Sequence, residues 1–235
     1  MNERVGTTVL SLTGISKVYG EGPTRVDALR PTAFEARAGE VVAIVGPSGS
    51  GKSTLLTIIG LINPPTAGSL LINGEPVITD GVAVANLTTM RRRELGYVFQ
   101  RSNLIPFLNA EENVRLALEI DGVPAHQSRT RARELLESLG LGKRLAALPG
   151  KLSGGEQQRV AIARAMIHQP SVVLADEPTA ALDSGRGRQV MELFRDSAHA
   201  HGAAVLVVTH DHRTLDLVDR VLEMEDGVLS EKQPA

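Results

Sequence analysis

The sequence predicts an α/β fold with a mainly parallel sheet, on three observations. Val41–Val45, Val172–Ala175 and Ala204–Val208 are short, unbroken apolar runs, the pattern of strands buried on both faces. Each is followed by a segment with helical spacing, which implies βαβ units and parallel pairing. Between the first and second of them, residues 101–168 read as helical, so the α/β core carries a helical insertion.

Taken in order, Val9 to Leu12 and Val26 to Leu29 are apolar stretches set apart by Gly and Pro, and are expected to be short strands. Val41–Val45 ends in a glycine-rich turn, after which Lys52 to Gly60 is expected to be helical. Leu70-Leu71-Ile72 followed by Asn73-Gly74 is a hairpin signal. Arg91-Arg92-Arg93 fits the solvated end of a helix, ahead of a short strand over Gly96 to Gln100. Helices are expected over Asn109 to Glu119, Ser128 to Leu139 and Ser153 to His168, the last closed by Pro170. Val221 to Leu229, with Asp226-Gly227 at its centre, is a C-terminal hairpin.

Composition excludes several function classes. Lys and Arg total 25 against 27 Asp and Glu, a net charge of −2, so charge gives no support to non-specific nucleic-acid binding. There is no cysteine, which removes disulfides, thiolate catalysis and Cys-based metal sites. No apolar run approaches the ~20 residues needed to span a bilayer. Glu3 and Arg4 with no apolar stretch beside them argue against a signal peptide. The chain is expected in the cytosol unless a partner holds it at a membrane. With four Phe, two Tyr and no Trp, any aromatic near a ligand stands out.

Three motifs carry chemistry. Gly46-Pro47-Ser48-Gly49-Ser50-Gly51-Lys52-Ser53-Thr54 fits the phosphate-binding pattern GxxxxGK[ST]. Its glycines let backbone N–H groups converge on phosphate oxygens, Lys52 reaches the β- and γ-phosphates, and the Ser53 hydroxyl suits Mg²⁺. A chance match is expected in roughly one chain of this length in a hundred, and the flanking strand and helix lower that further. The second motif is the apolar strand ending in Asp176-Glu177. A buried parallel strand delivers both carboxylates to the carboxyl edge of the sheet, beside the phosphate loop. There Asp176 can hold Mg²⁺ through water, and Glu177 can orient and deprotonate an attacking water. In the third, Leu152-Ser153-Gly154-Gly155-Glu156-Gln157-Gln158-Arg159, Ser153 and Glu156 have the spacing of a capping box. Each glycine in that first turn costs ~1 kcal/mol against Ala, which capping does not require but close approach of a phosphate does.

Residues 152–159 resemble the signature sequence of ATP-binding cassette (ABC) ATPases, and the resemblance extends over about residues 9–230 with at least six motifs in the family's order. It implies a P-loop NTPase core with an N-terminal antiparallel β subdomain (residues 1–100 and 169–235 together) and an inserted helical subdomain (101–168). By the same resemblance, Tyr19 stacks on adenine, and Gln100 contacts Mg²⁺ and senses a membrane partner. Asp183, in Ala181-Leu182-Asp183, lies on a loop crossing a dimer interface, and His210 contacts the γ-phosphate. Ser153, Gly154, Gly155 and Glu156 would act on ATP held by the second copy. Glu156, Leu174 to Thr179 and Met90 to Gln100 look like the lipoprotein-release, macrolide-export and glycolipid-export group. The expectation is an ATPase using ATP and Mg²⁺, working as a homodimer in its ATP-bound state. It would sit on the cytoplasmic face of the membrane, held by an integral permease, with a periplasmic adaptor reached through that permease and no nucleic acid involved. The competing expectation is a non-transport ABC ATPase that switches a cell-wall enzyme or acts on nucleic acid.

Overall fold

The computed structural model describes residues 6–180, 182 and 184–231. In chain order its strands are β1 (Thr8–Tyr19), β2 (Val26–Arg37), β3 (Val41–Val45), β4 (Ala67–Ile72), β5 (Glu75–Thr79), β6 (Val82–Ala83), β7 (Leu95–Val98), β8 (Val172–Asp176), β9 (Ala204–Val208), β10 (Arg220–Glu225) and β11 (Val228–Glu231). The α-helices are α1 (Lys52–Ile59), α2 (Leu87–Glu94), α3 (Ala110–Ile120), α4 (Ala125–Ser138), α5 (Gly154–Met166) and α6 (Ser184–His201). They form an α/β fold with two sheets. The first has the order β2-β1-β4-β5-β6 and is antiparallel throughout. The second has the order β11-β10-β3-β9-β8-β7, with parallel pairing from β10 to β7 and β11 antiparallel at its edge.

The unbroken apolar runs occupy the middle of the second sheet, and every residue of β3 and β9 is buried. The first sheet and α1 cover one face and α5 and α6 the other, so these strands are buried on both sides. The expected short strands at 9–12 and 26–29 are instead twelve residues each. β1 runs through Gly14 because the pairing register shifts there, between Leu12 and Ile15. Pro31 is tolerated in β2 because this strand lies at the end of its sheet. The Asn73-Gly74 hairpin has the expected positive φ at both turn residues, 52° and 76°.

Three apolar clusters hold the layers. Leu10, Leu12, Ile44, Leu55 and Ile59 lie between the two sheets and α1. Val173, Val205, Val207, Met191 and Phe194 fill the opposite face of the parallel sheet beneath α6, joined by Ile162 and Met166 of α5. Val114, Leu118, Ala132, Leu136 and Leu141 form the third with Val160 and Ala163 of α5 and Ile167, its C-cap. β7 approaches α5 so closely that a Cβ on Gly96 would lie 2.2 Å from the Ala165 carbonyl oxygen. A buried carboxylate joins the sheets at their far end: Glu94 Oε2 accepts from Asn73 Nδ2 at 2.9 Å and Ser171 Oγ at 2.6 Å. Arg93 Nε donates to its other oxygen at 2.6 Å.

Candidate functional site

The phosphate loop joins β3 to α1, and its glycines are required by space as well as by dihedral angle. Gly46 has φ 147° and Gly51 φ 109°. A Cβ on Gly46 would lie 2.0 Å from the Met224 carbonyl oxygen, and one on Gly51 would lie 2.5 Å from that of Ala28. Gly51 is the N-cap of α1 and offers no side chain, so none caps that helix. The first-turn amides are left for an external acceptor. Lys52 is buried and donates through Nζ to the carbonyl oxygens of Gly46 at 2.8 Å and Pro47 at 2.7 Å. The ammonium thereby sits under the loop. Gly49, Lys52, Ser53 and Thr54 line a cleft of about 570 Å³, with Arg30 and Asp226 opposite. Gly227 N–H donates to the Ser50 carbonyl oxygen at 2.9 Å, fixing the β10–β11 turn against the loop that runs on from Pro47 and Ser48.

The carboxylate pair stands at the carboxyl end of β8. Burial raises the Asp176 carboxyl above its ordinary range, the Glu177 charge adds to this, and Lys52 opposes it. Burial, with Asp176 nearby, pushes the Tyr97 hydroxyl up to about 12. Glu177 adopts φ 48°, an unusual conformation for a residue with a side chain, and its N–H donates to the Val208 carbonyl oxygen at 2.9 Å. Such strain costs about 1–3 kcal/mol and persists where surrounding contacts enforce it. His210, two residues beyond β9, places Nδ1 2.7 Å from Glu177 Oε1. Its backbone N–H reaches Oε2 at 3.4 Å.

The remaining residues do not line the phosphate-loop cleft. Tyr19, at the end of β1, is 41% exposed. Its hydroxyl oxygen accepts from Asn63 Nδ2, and Lys17 Nζ lies 5.1 Å from its ring centroid. Ser153 caps α5 in a capping box: Glu156 N–H donates to Ser153 Oγ at 3.3 Å, and Ser153 N–H donates to Glu156 Oε2 at 2.7 Å. The Ser153 amide, then Arg144 at 2.8 Å, holds the Glu156 carboxyl below its ordinary range. Gln100 and Gly154 line a second cleft of about 400 Å³, with Gln157, Pro178 and Leu182. Asp183 and Ala181 lie outside the described residues. Sequence reasoning passed over Asn63 and Lys17 as the groups that hold Tyr19. They come from the segment after α1 and from β1 itself, and nothing in their spacing marks them.

Residues 29–180 match the family profile described as ABC transporter. The chain belongs to the ABC transporter family. An uncharacterised ABC transporter ATP-binding protein of Thermotoga maritima is 48% identical over 93% of this chain and 92% of its own. The lipoprotein-releasing system ATP-binding protein LolD of Maricaulis maris is 45% identical over 97% of this chain and 98% of its own. The macrolide export ATP-binding/permease protein MacB of Brucella melitensis is 47% identical over 94% of this chain, which spans only 34% of that longer protein. Among solved structures, the dimeric ATP-binding cassette MJ0796 in a post-hydrolysis state with ADP and Pi is similar with a TM-score of 0.82. It is 39% identical, over 96% of this chain and all of its own. This ABC protein is therefore an ATPase of the cassette type.

Proposed function

We propose that the chain is the ATP-hydrolysing subunit of an ABC transporter, in which two copies enclose ATP and drive a separate membrane permease of the export or force-transmitting type. The observation that carries the two-copy reading is that one chain supplies the two halves of a phosphate site on different clefts. The phosphate loop lines one, and Gly154 of the signature lines the other. Among the described residues, a Cβ on Gly154 would meet nothing closer than 3.9 Å, and one on Gly155 nothing closer than 3.5 Å. Gly154 is exposed and leaves bare backbone at the start of α5 open to a group from outside the chain, whereas Gly155 is buried against Arg186. A second copy arranged by a two-fold axis would bring Ser153, Gly154 and Gly155 onto the triphosphate held by the first, creating two equivalent sites.

The residue roles in this reading rest on the motif resemblance, supported by the contacts each residue makes. The loop amides and Lys52 grip the β- and γ-phosphates, and Tyr19 stacks on the base. Glu177 takes a proton from water as the water oxygen attacks the γ-phosphorus and the bond to the ADP oxygen breaks. With His210 Nδ1 engaged by Glu177, Nε2 is the nitrogen left for the γ-phosphate. Ser53 Oγ, the Gln100 amide oxygen and Asp176 are hard oxygen donors of the kind Mg²⁺ takes alongside phosphate and water. Among the described residues, no group of three or more His, Asp or Glu forms a metal cage, which fits an ion held jointly with substrate. When bound, Mg²⁺ neutralises charge on the β- and γ-oxygens.

Residues 1–100 and 169–235 are assigned to the nucleotide-binding core, and 101–168 to a helical subdomain with its own apolar cluster. No helix among the described residues is long and apolar enough to cross a membrane. Attachment at the cytoplasmic face would then depend on the permease. LolD and MacB are named for lipoprotein release and macrolide export, and these names point to the export group. Steady-state ATP hydrolysis by the purified protein, alone and with a co-purifying permease, tests this. Glu177→Gln should lower kcat by about 10²–10⁴-fold while ATP binding survives. Turnover near wild type in that variant would remove Glu177 from the role of base, and recovery without any membrane protein would favour a non-transport switch.

A further inference from the structure

His210 is held by a chain of contacts that returns to its own partner. Its ring is 70% exposed, so packing does not fix it. Next along the chain, the Asp211 carboxylate accepts from Arg213 N–H at 3.0 Å, from Nε at 2.7 Å and from Nη2 at 2.7 Å. The one nitrogen of the guanidinium left over, Nη1, donates to Ser184 Oγ at 2.7 Å. Ser184 is the first residue of α6, seven positions after Glu177 in the chain. Beyond it, Arg188 of α6 makes a bidentate pair with Asp216 at 2.7 and 3.1 Å, holding the far end of the 3-10 turn His212–Leu217 to the same helix.

These contacts close a ring. It runs from Glu177 by chain connectivity to Ser184, across to Arg213, through Asp211 to His210, and by the 2.7 Å contact back to Glu177. We infer that Arg213 is a positioning residue for ATP hydrolysis, coupling the place of His210 against Glu177 to the start of α6. Opening the ring at Arg213 leaves His210 held by its contacts to Glu177 alone, with the Asp211 side chain beside it no longer anchored to α6. A planar fork suits this junction because it satisfies a carboxylate with two nitrogens and a hydroxyl with a third, which an ammonium cannot do in one geometry. The Arg213 side of this pair is 59% exposed although Asp211 is only 11% exposed, and ion pairs open to water contribute little to stability, so a stabilising role and a positioning role predict different outcomes. The inference rests on the assignment of Glu177 and His210 to hydrolysis.

The test is steady-state hydrolysis by the full chain, carried out on wild type, Arg213→Ala, Arg213→Lys, Ser184→Ala and the Arg213→Ala/Ser184→Ala pair, with Glu177→Gln as the floor. Arg213→Ala should lower kcat about tenfold or more, since small misplacements at a reacting centre carry such penalties. KM for ATP should stay within about twofold, and the melting temperature should be nearly unchanged. Arg213→Lys should recover part of the rate. Ser184→Ala should show a smaller loss, and the double variant should fall no further than Arg213→Ala, because both changes break one contact. A full rate in Arg213→Ala with Glu177→Gln inactive would overturn the ring alone, as would additive losses or a rate that falls only in step with melting temperature. A wild type without turnover would take down the hydrolytic assignment and the ring together.

Discussion

Glu177 shows what a residue gives up to serve a site. It holds a left-handed backbone, donates its N–H across to β9 and spends one carboxylate oxygen on His210. The motif residues 46–54 and 176–177 were readable because their chemistry is packed into consecutive positions after a buried strand. The contact between Glu177 and His210 was not, since β8 and β9 are brought together by the sheet and not by spacing. His168, away from the site, offers a test of burial chemistry. Nε2 contacts the Leu95 carbonyl oxygen at 3.1 Å, while Nδ1 is buried with no hydrogen-bond partner. Burial depresses its folded pKa. A depressed group contributes stability that is complete above its unfolded value of ~6.5 and is lost as pH falls through the folded value. Urea midpoints should therefore drop on acidification below about pH 6.5, and His168→Gln should flatten that slope. An identical slope in both proteins would show that His168 stays neutral or is solvated on protonation.

At the scale of elements, the helices of 101–168 and the hairpins were legible because caps and turns are local. Asn109 forms a capping box with Glu112 at the start of α3, as Ser153 does with Glu156 at α5. Boundaries moved where a tertiary contact outweighed local signals. α4 starts at Ala125, straight after Pro124, where no apolar periodicity announces it. β6 is two residues long and owes its existence to β5. The β7–α5 contact is another feature of this kind, since Gly96 is an ordinary strand residue by sequence. Gly96→Ala must force β7 and α5 apart or bend one of them, and should lower stability by about 1–3 kcal/mol. Chemical denaturation measures this directly. A midpoint equal to wild type would mean that the two elements can separate freely.

For the whole molecule, the parallel pairing of the core strands followed from the βαβ pattern, their order β10-β3-β9-β8-β7 did not, and the antiparallel first sheet came from the family resemblance, since local signals do not say which strands meet. The proposed pairing of two copies is testable in a chain without cysteine. Ser50→Cys and Gly154→Cys in a Glu177→Gln background should form disulfides between subunits when ATP is present. Links formed only within one chain would sink the two-copy arrangement. The packing of α5 has one more consequence. Ile162, Ala165 and Met166 face the cluster under the parallel sheet, while Val160, Ala163 and Ile167 face the cluster of the helical segment. This helix is a party wall: neither side can melt without stripping apolar surface from the other. Local opening of that wall is then as unfavourable as global unfolding, and heat or denaturant meets the two sides as one cooperative body. The α5 amides should be the last to exchange with solvent.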